Sequence, residues 1–229
     1  MSPKLRILIG AAPQGPWSIL ADCLVAAGVE IRVAPTDVAA LTFPENWFPD
    51  ALITLPAVYQ QARFDQLDLD RWIGAQDAEL TARFQLAQAV AQRVEDGHSV
   101  CVVHLVDASG MPGVFGAGGA MIASHATAGL SRGIALDLKS RVRSNVVALA
   151  PTKADIDALV GLLRHFCGEH GNAISGQVAS ISASRVQLFA QSRPVRVAHS
   201  DGPWGEDALA EQVRDWADDL PRLSRGANA

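Results

Sequence analysis

Tyrosine and lysine are nearly missing from these 229 residues: Tyr59 is the single tyrosine, and Lys4, Lys139 and Lys153 are the only lysines. A catalytic phenol or amine therefore has few places to come from. Cysteine is also scarce and odd in number, with Cys23, Cys101 and Cys167 widely spaced. That excludes a disulfide framework and suits reduced thiols in the cytoplasm. No run of Lys or Arg occurs and the net charge is -5, which argues against a nucleic-acid surface. The longest apolar stretches, Leu5–Ala12 and Val100–Val106, are strand-sized and too short to span a bilayer. Met1–Ala12 reads as a buried first strand rather than a signal peptide. Charged residues make up only 19% against 49% hydrophobic, a balance that excludes disorder. His165, Cys167, Glu169 and His170 crowd together, but residues two apart on a helix point about 200° from each other. No metal site is expected from that spacing.

What is present is an alternation of strand and helix patterns, the mark of a parallel sheet covered on both faces. The pattern predicts strands at Leu5–Gly10, Glu30–Ala34, Ala51–Leu55, Ser99–Val106, Asn145–Ala150 and Gln177–Ser182. Helices are predicted at Trp17–Ala27, over Asp70–Glu95 in one or two pieces, from Gly118 to Leu138, and at Ala154–Gly168. From Ser184 the character changes: short alternating segments at Arg185–Ala190 and Pro194–His199 precede an amphipathic stretch, Gly205–Leu220. The fold class expected is α/β, a Rossmann-like doubly wound parallel sheet. Residues 1–183 form its single domain and residues 184–229 a C-terminal extension.

Several segments then line up with one family. Gly129-Leu-Ser-Arg-Gly-Ile-Ala-Leu-Asp-Leu138 resembles the second half of the active-site helix of the short-chain dehydrogenases/reductases, Tyr-x-x-x-Lys-Ala-x-x-x-Gly-Leu-x-Arg-x-Leu-Ala-x-Glu/Asp-Leu. Asp50-Ala-Leu-Ile-Thr-Leu-Pro-Ala57 resembles the family's Asp-x-Leu-Val-Asn-Asn-Ala-Gly. Trp72 with Glu79-Leu-Thr81 resembles its Trp-x-x-x-x-x-x-Asn-Leu-Thr helix, and Val102–Gly110 the strand that ends at the catalytic serine. Val146–Pro151 resembles Val-Asn-x-Val-Ala-Pro-Gly, and Ile174–Val178 the late Thr-Gly-Gln segment. The resemblance covers Leu5 to Ser182 and implies a nicotinamide-dependent oxidoreductase scaffold.

The active residues that the resemblance implies are replaced. In the family a serine orients the carbonyl, a tyrosinate exchanges the proton, a lysine lowers the tyrosine pKa and holds the ribose, and an asparagine completes the relay. Those positions here are Asp107, Ala120, Ser124 and Glu79. Two carboxylates would oppose a developing alkoxide rather than stabilise it. His125, one step from the lysine position, is the fallback candidate for a rewired base. His104 reads as a structural, hydrogen-bonded histidine, because strand alternation sets it on the opposite face from Asp107. The cofactor turn is altered as well. Gly10 and Gly15 survive with an extra residue between them, Pro16 lacks an amide hydrogen, and Trp17 stands where the family's backbone meets phosphate. The segment Gly15–Ala57 is short, which removes the family's third strand.

No cofactor is therefore expected, with NAD(P) the cofactor if the site proves active. The reading is of a non-catalytic subunit that supports an active paralogue in a hetero-oligomer, or that forms a homo-oligomer. Pairings of a degenerate and an active subunit occur in this family, including among hydroxyacyl-CoA dehydrogenases. The alternatives are a divergent oxidoreductase with a rewired site and a small-ligand sensor using the old pocket. The glycine-rich, low-bulk face of the Gly118–Leu138 helix suits close approach of a second helix, and the resemblance implies that this helix and the one over Thr81–Val94 pair with their copies across a two-fold axis.

Overall fold

The computed structural model describes residues 4–10, 15–45, 47–57, 62–94, 98–111, 117–139, 141–150, 152–167, 171–182 and 184–189, together with 205, 207, 208 and 211. The chain divides into two compact units, Met1–Phe189 and Ala190–Ala229. The segments expected at Pro194–His199 and over most of Gly205–Leu220 lie outside the described residues.

The first unit is built on seven strands: β1 Arg6–Ile9, β2 Glu30–Val33, β3 Ala51–Thr54, β4 Val100–Asp107, β5 Val142–Leu149, β6 Val178–Ser182 and β7 Arg185–Leu188. They form one sheet in the order β2-β1-β3-β4-β5-β6-β7. The first six run parallel, and β7 pairs antiparallel with β6. The α/β expectation holds, and the sheet lies between two layers of helices. Among the described residues the connection from β2 to β3 carries only a 3-10 turn, Val38–Ala40. The sheet thus ends at β2, as the short Gly15–Ala57 segment implied.

Helix α1 (Ile19–Ala26) and α5 (Lys153–Cys167) cover one face, and α3 (Ala82–Ala91) and α4 (Gly118–Leu138) the other. Strand alternation sorts the core accordingly. Ile7, Ile9, Ile53, Val103 and Leu105 pack with Leu20, Leu24, Leu159 and Leu163, whereas Leu8, Leu52 and Val102 pack with Leu86 and Val90. Central strands β3, β4 and β5 are buried throughout their apolar runs, as a sheet covered on both faces requires.

Three boundaries depart from those expected. The stretch over Asp70–Glu95 divides into α2 (Leu69–Gln76), a π-helical turn (Asp77–Thr81) and α3. Asp68 caps the start of α2, its carboxylate accepting from the Arg71 amide at 2.8 Å. Strand β5 begins at Val142, three residues earlier than the apolar pattern suggested, because Arg143, Ser144 and Asn145 are buried polar residues that bond across the fold. Helix α1 is likewise preceded by a 3-10 turn, Gly15–Ser18, instead of beginning at Trp17.

Candidate functional site

In a doubly wound sheet a ligand cleft forms beyond the carboxyl ends of the strands. Here that end gathers the turn after β1, the segment Leu55–Ala57 after β3, Asp107 at the end of β4, and the first turns of α4. Each expected site residue can be placed in it.

Glu79 lies in the π turn, a helical distortion often found at functional sites, and is 5% exposed. Its carboxylate pairs with Arg83 Nη2 at 2.5 Å and accepts from the Ala57 amide at 2.9 Å. Arg83 is 1% exposed. Its guanidinium donates to the carbonyls of Leu55 (3.1 Å) and Leu105 (2.7 Å) and to Thr54 Oγ1 (2.9 Å). The ends of β3 and β4 are thereby tied to one helix through a buried ion pair. The Thr54 hydroxyl, which accepts from Arg83, also shares a hydrogen bond of 2.8 Å with His104 Nδ1. His104 Nε2 has no hydrogen-bond partner among the described residues. Complete burial, reinforced by the positive charge of Arg83, pushes the His104 pKa well below the ordinary histidine value. This is the structural histidine that strand alternation suggested, and it is joined to Glu79 through Thr54 and Arg83.

Asp107 turns back on its own loop. One carboxylate oxygen accepts from the Ser109 amide at 2.8 Å and from the Ser109 hydroxyl, while the Asp107 carbonyl accepts from the Gly110 amide. Ala120 and Ser124, at the family's tyrosine and lysine positions, are buried. Gly110 packs directly over them: a methyl group added there would lie 2.1 Å from Ser124 Oγ and 2.8 Å from the Ala120 carbonyl. His125 faces outward, bonded through Nδ1 to the Met121 carbonyl of its own helix at 2.9 Å. It is not gathered with Glu79, Arg83 or His104.

At the cofactor turn, Gly10 is held against β3, its amide donating to the Ile53 carbonyl at 2.7 Å. Residues 11–14 lie outside the described residues. Gly15 has φ +54°, and the 3-10 turn it opens carries Pro16, without an amide hydrogen, and Trp17. The Trp17 indole is buried with Leu20 and Leu24. Ser18, preceding α1, makes no side-chain cap. Among the described residues no three His, Cys, Asp or Glu gather as metal ligands; Glu169 and His170 lie outside them. No helix of the described residues is long and apolar enough to cross a membrane.

Sequence reasoning missed Arg83 and Thr54. The signal for Arg83 was available: Glu79, Arg83, Leu86 and Val90 fall on one helical stripe, so a charge at position 83 had to be buried, and its partner had to be the acid four residues earlier.

No family model matches the chain, and no curated protein matches it. Solved structures do. A short-chain dehydrogenase from Mycobacterium avium is 15% identical, with 98% of each chain covered and a TM-score of 0.76. Sorbitol-6-phosphate 2-dehydrogenase from Erwinia amylovora is 15% identical over 79% of this chain and 98% of that one, with a TM-score of 0.63. Acetoin dehydrogenase from Salmonella typhimurium is 16% identical over 79% and 95%, with a TM-score of 0.62. At these identities the likeness concerns architecture, and it agrees with the strand order, the split helix and the motif order read above: the chain has the short-chain dehydrogenase/reductase fold.

Proposed function

We propose that this chain is a non-catalytic subunit with the short-chain dehydrogenase fold, one that assembles with an active dehydrogenase of the same fold and supports it in the cytoplasm. The observation that carries the reading is the closure of Gly110 onto Ala120 and Ser124. At those two positions the chain offers a methyl group and a buried hydroxyl. The Glu79–Arg83 pair points the same way, because its polar atoms are committed to each other and to the strand ends.

A nicotinamide dinucleotide fits the described part of the turn poorly. Pyrophosphate binding needs convergent backbone amides at a helix start. Pro16 supplies none, and the bulk of Trp17 occupies the first turn. The reading therefore includes no bound dinucleotide and no metal.

The outer faces of α3 and α4 supply the surface for assembly. A groove of about 440 Å³ runs between them, lined among others by Phe84, Ala87, Leu130, Ile134 and Leu138. Phe84 and Leu136 are 50% and 66% exposed. Gly129 and Gly133 lie four apart on α4, and a side chain added at either would meet open space. Each such glycine costs about 1 kcal/mol of helix stability relative to alanine. No described residue packs on them to offset that cost, whereas a helix of a second subunit lying close against them would.

Native mass spectrometry of the tagged protein, purified gently from its own cells, tests the reading. The expected result is a complex with a second dehydrogenase-sized chain carrying at most one dinucleotide per pair. A homo-oligomer with one NAD(P) per chain would overturn it in favour of a divergent oxidoreductase. A small ligand bound with neither dinucleotide nor partner would overturn it in favour of a sensor.

A further inference from the structure

The amino ends of the strands, away from the cleft, hold a cavity of about 960 Å³. The residues around it precede strands or follow a helix. Arg6 opens β1, Phe43, Trp47 and Phe48 lie in the connection from β2 to β3, Arg93 follows α3, and His98 precedes β4. Beyond its 3-10 turn that connection has no helix or strand among the described residues, and its aromatic residues fold back onto the sheet. Leu41 and Trp47 pack with Leu8, Leu52 and Val94 in the core. The Trp47 indole is fixed at two points. Its Nε1 donates to the Glu30 carboxylate at 2.7 Å, and the Arg32 guanidinium lies 4.7 Å from its ring centroid.

Trp47 in turn positions two half-buried phenyl rings. Phe43 lies 5.9 Å from the indole and meets Phe48 edge to face at 5.0 Å, a favoured geometry for aromatic pairs. The His98 imidazole stands 6.2 Å from Phe48. Because Trp47 is buried and engaged, the open ring surface of the cavity belongs to Phe43 and Phe48. The positive charge available to a ligand is that of Arg93. Its Nη1 donates to the Ala89 carbonyl at 2.9 Å, and its other donors have no partner among the described residues. Arg6 is different, since its Nε and Nη2 are both spent on Asp50. Glu45, the one acid lining the cavity among the described residues, is exposed.

We propose that this cavity binds a small planar aromatic anion, its ring against Phe43 and Phe48 and its acid group on the open donors of Arg93. A concave site with ring-lined walls and a few placed polar groups is the usual form of a small-molecule pocket. A second ring gains from stacking on, or meeting edge to face, the rings already there. A guanidinium stays charged at every ordinary pH and offers paired donors that match a carboxylate or a phosphate. Both features line the same cavity. An aromatic carboxylate and a nucleoside monophosphate share the chemistry required, a flat ring joined to an anion. The site uses none of the residues of the old cleft, so it stands whether or not the chain has an active partner.

Isothermal titration calorimetry of the full chain with 1-naphthoate and with adenosine monophosphate tests the site, with 1-naphthamide and adenosine as their uncharged counterparts. The expected result is saturable binding of at least one anion, about tenfold tighter than its counterpart. Which anion binds tells carboxylate from phosphate as the natural group. Arg93→Gln should weaken the anion about tenfold and leave the uncharged compound unchanged. Phe43→Ala should weaken both alike, by about three- to tenfold. Phe43→Leu, which keeps more of the bulk, should show the same pattern if the alanine variant does not fold. Phe84→Ala, in the groove between α3 and α4, should change neither. Failure of both anions to bind at millimolar concentration overturns the proposal. So does an uncharged compound that binds as tightly as its anion, or an affinity that Phe84→Ala lowers and Arg93→Gln does not.

Discussion

Arg83 and Arg143 are buried to nearly the same degree on opposite faces of one sheet, and the fold balances them differently. Arg83 has a carboxylate in direct contact and completes its bonding on the carbonyls of Leu55 and Leu105 and the hydroxyl of Thr54. Among the described residues Arg143 has two carbonyls for direct hydrogen-bond partners, with Cys101 opposite it on β4. Where a full counter-charge is built in, the site is electrically closed and the strand ends above it are locked. Where it is missing, the carbonyls at the negative end of a helix take its place.

Breaking the ion pair should have the largest effect. Glu79→Gln leaves Arg83 buried without its counter-charge, and the expected loss is about 3–5 kcal/mol in urea unfolding. Replacing both residues by apolar ones of similar volume (Glu79→Leu with Arg83→Met) should recover most of it. If Glu79→Gln costs no more than an exposed substitution, the pair is not balancing the site. Arg143→Met removes a cation that pairs with no carboxylate among the described residues. Its expected cost is smaller, about 1–3 kcal/mol, from carbonyls left unpaired at the end of α5. A loss equal to that of Glu79→Gln would erase the distinction between the two arginines.

Acid titration sharpens the Arg83 side. His104 is held neutral in the folded chain by burial and by Arg83. Below an unfolded value near 6.5, the unfolded chain therefore binds a proton that the native site refuses. Stability from this group is complete above that pH and is lost as the pH falls toward the depressed native value, with a slope approaching about 1.4 kcal/mol per pH unit. His104→Gln should flatten that part of the stability profile, and an unchanged slope would mean another group is responsible. The smallest effect is expected far from both arginines. Gly133→Ala should raise the stability of the isolated chain by up to about 1 kcal/mol while weakening assembly in the native mass spectrum. Tighter assembly after that change would remove α4 from the interface.

Much of the architecture was legible beforehand because its signals are local. Runs such as Val102–Val106 can only be buried strands, their alternation with helical stripes sets the layers, and the short Gly15–Ala57 segment announced a sheet that ends at β2. The approach of Gly110 to Ser124 was not legible, because it joins a loop to a helix through a distance no motif encodes.

The amino-acid sequence by itself determined the α/β class and the order of its elements, since each depends on periodicity. Only the tertiary structure decided which polar residues are buried and what balances them. The Arg83 guanidinium ends on Leu105, and that of Arg143 on Gly171. The energy of a buried charge is set by groups brought within about 3 Å by the fold, and those groups can lie anywhere along the chain.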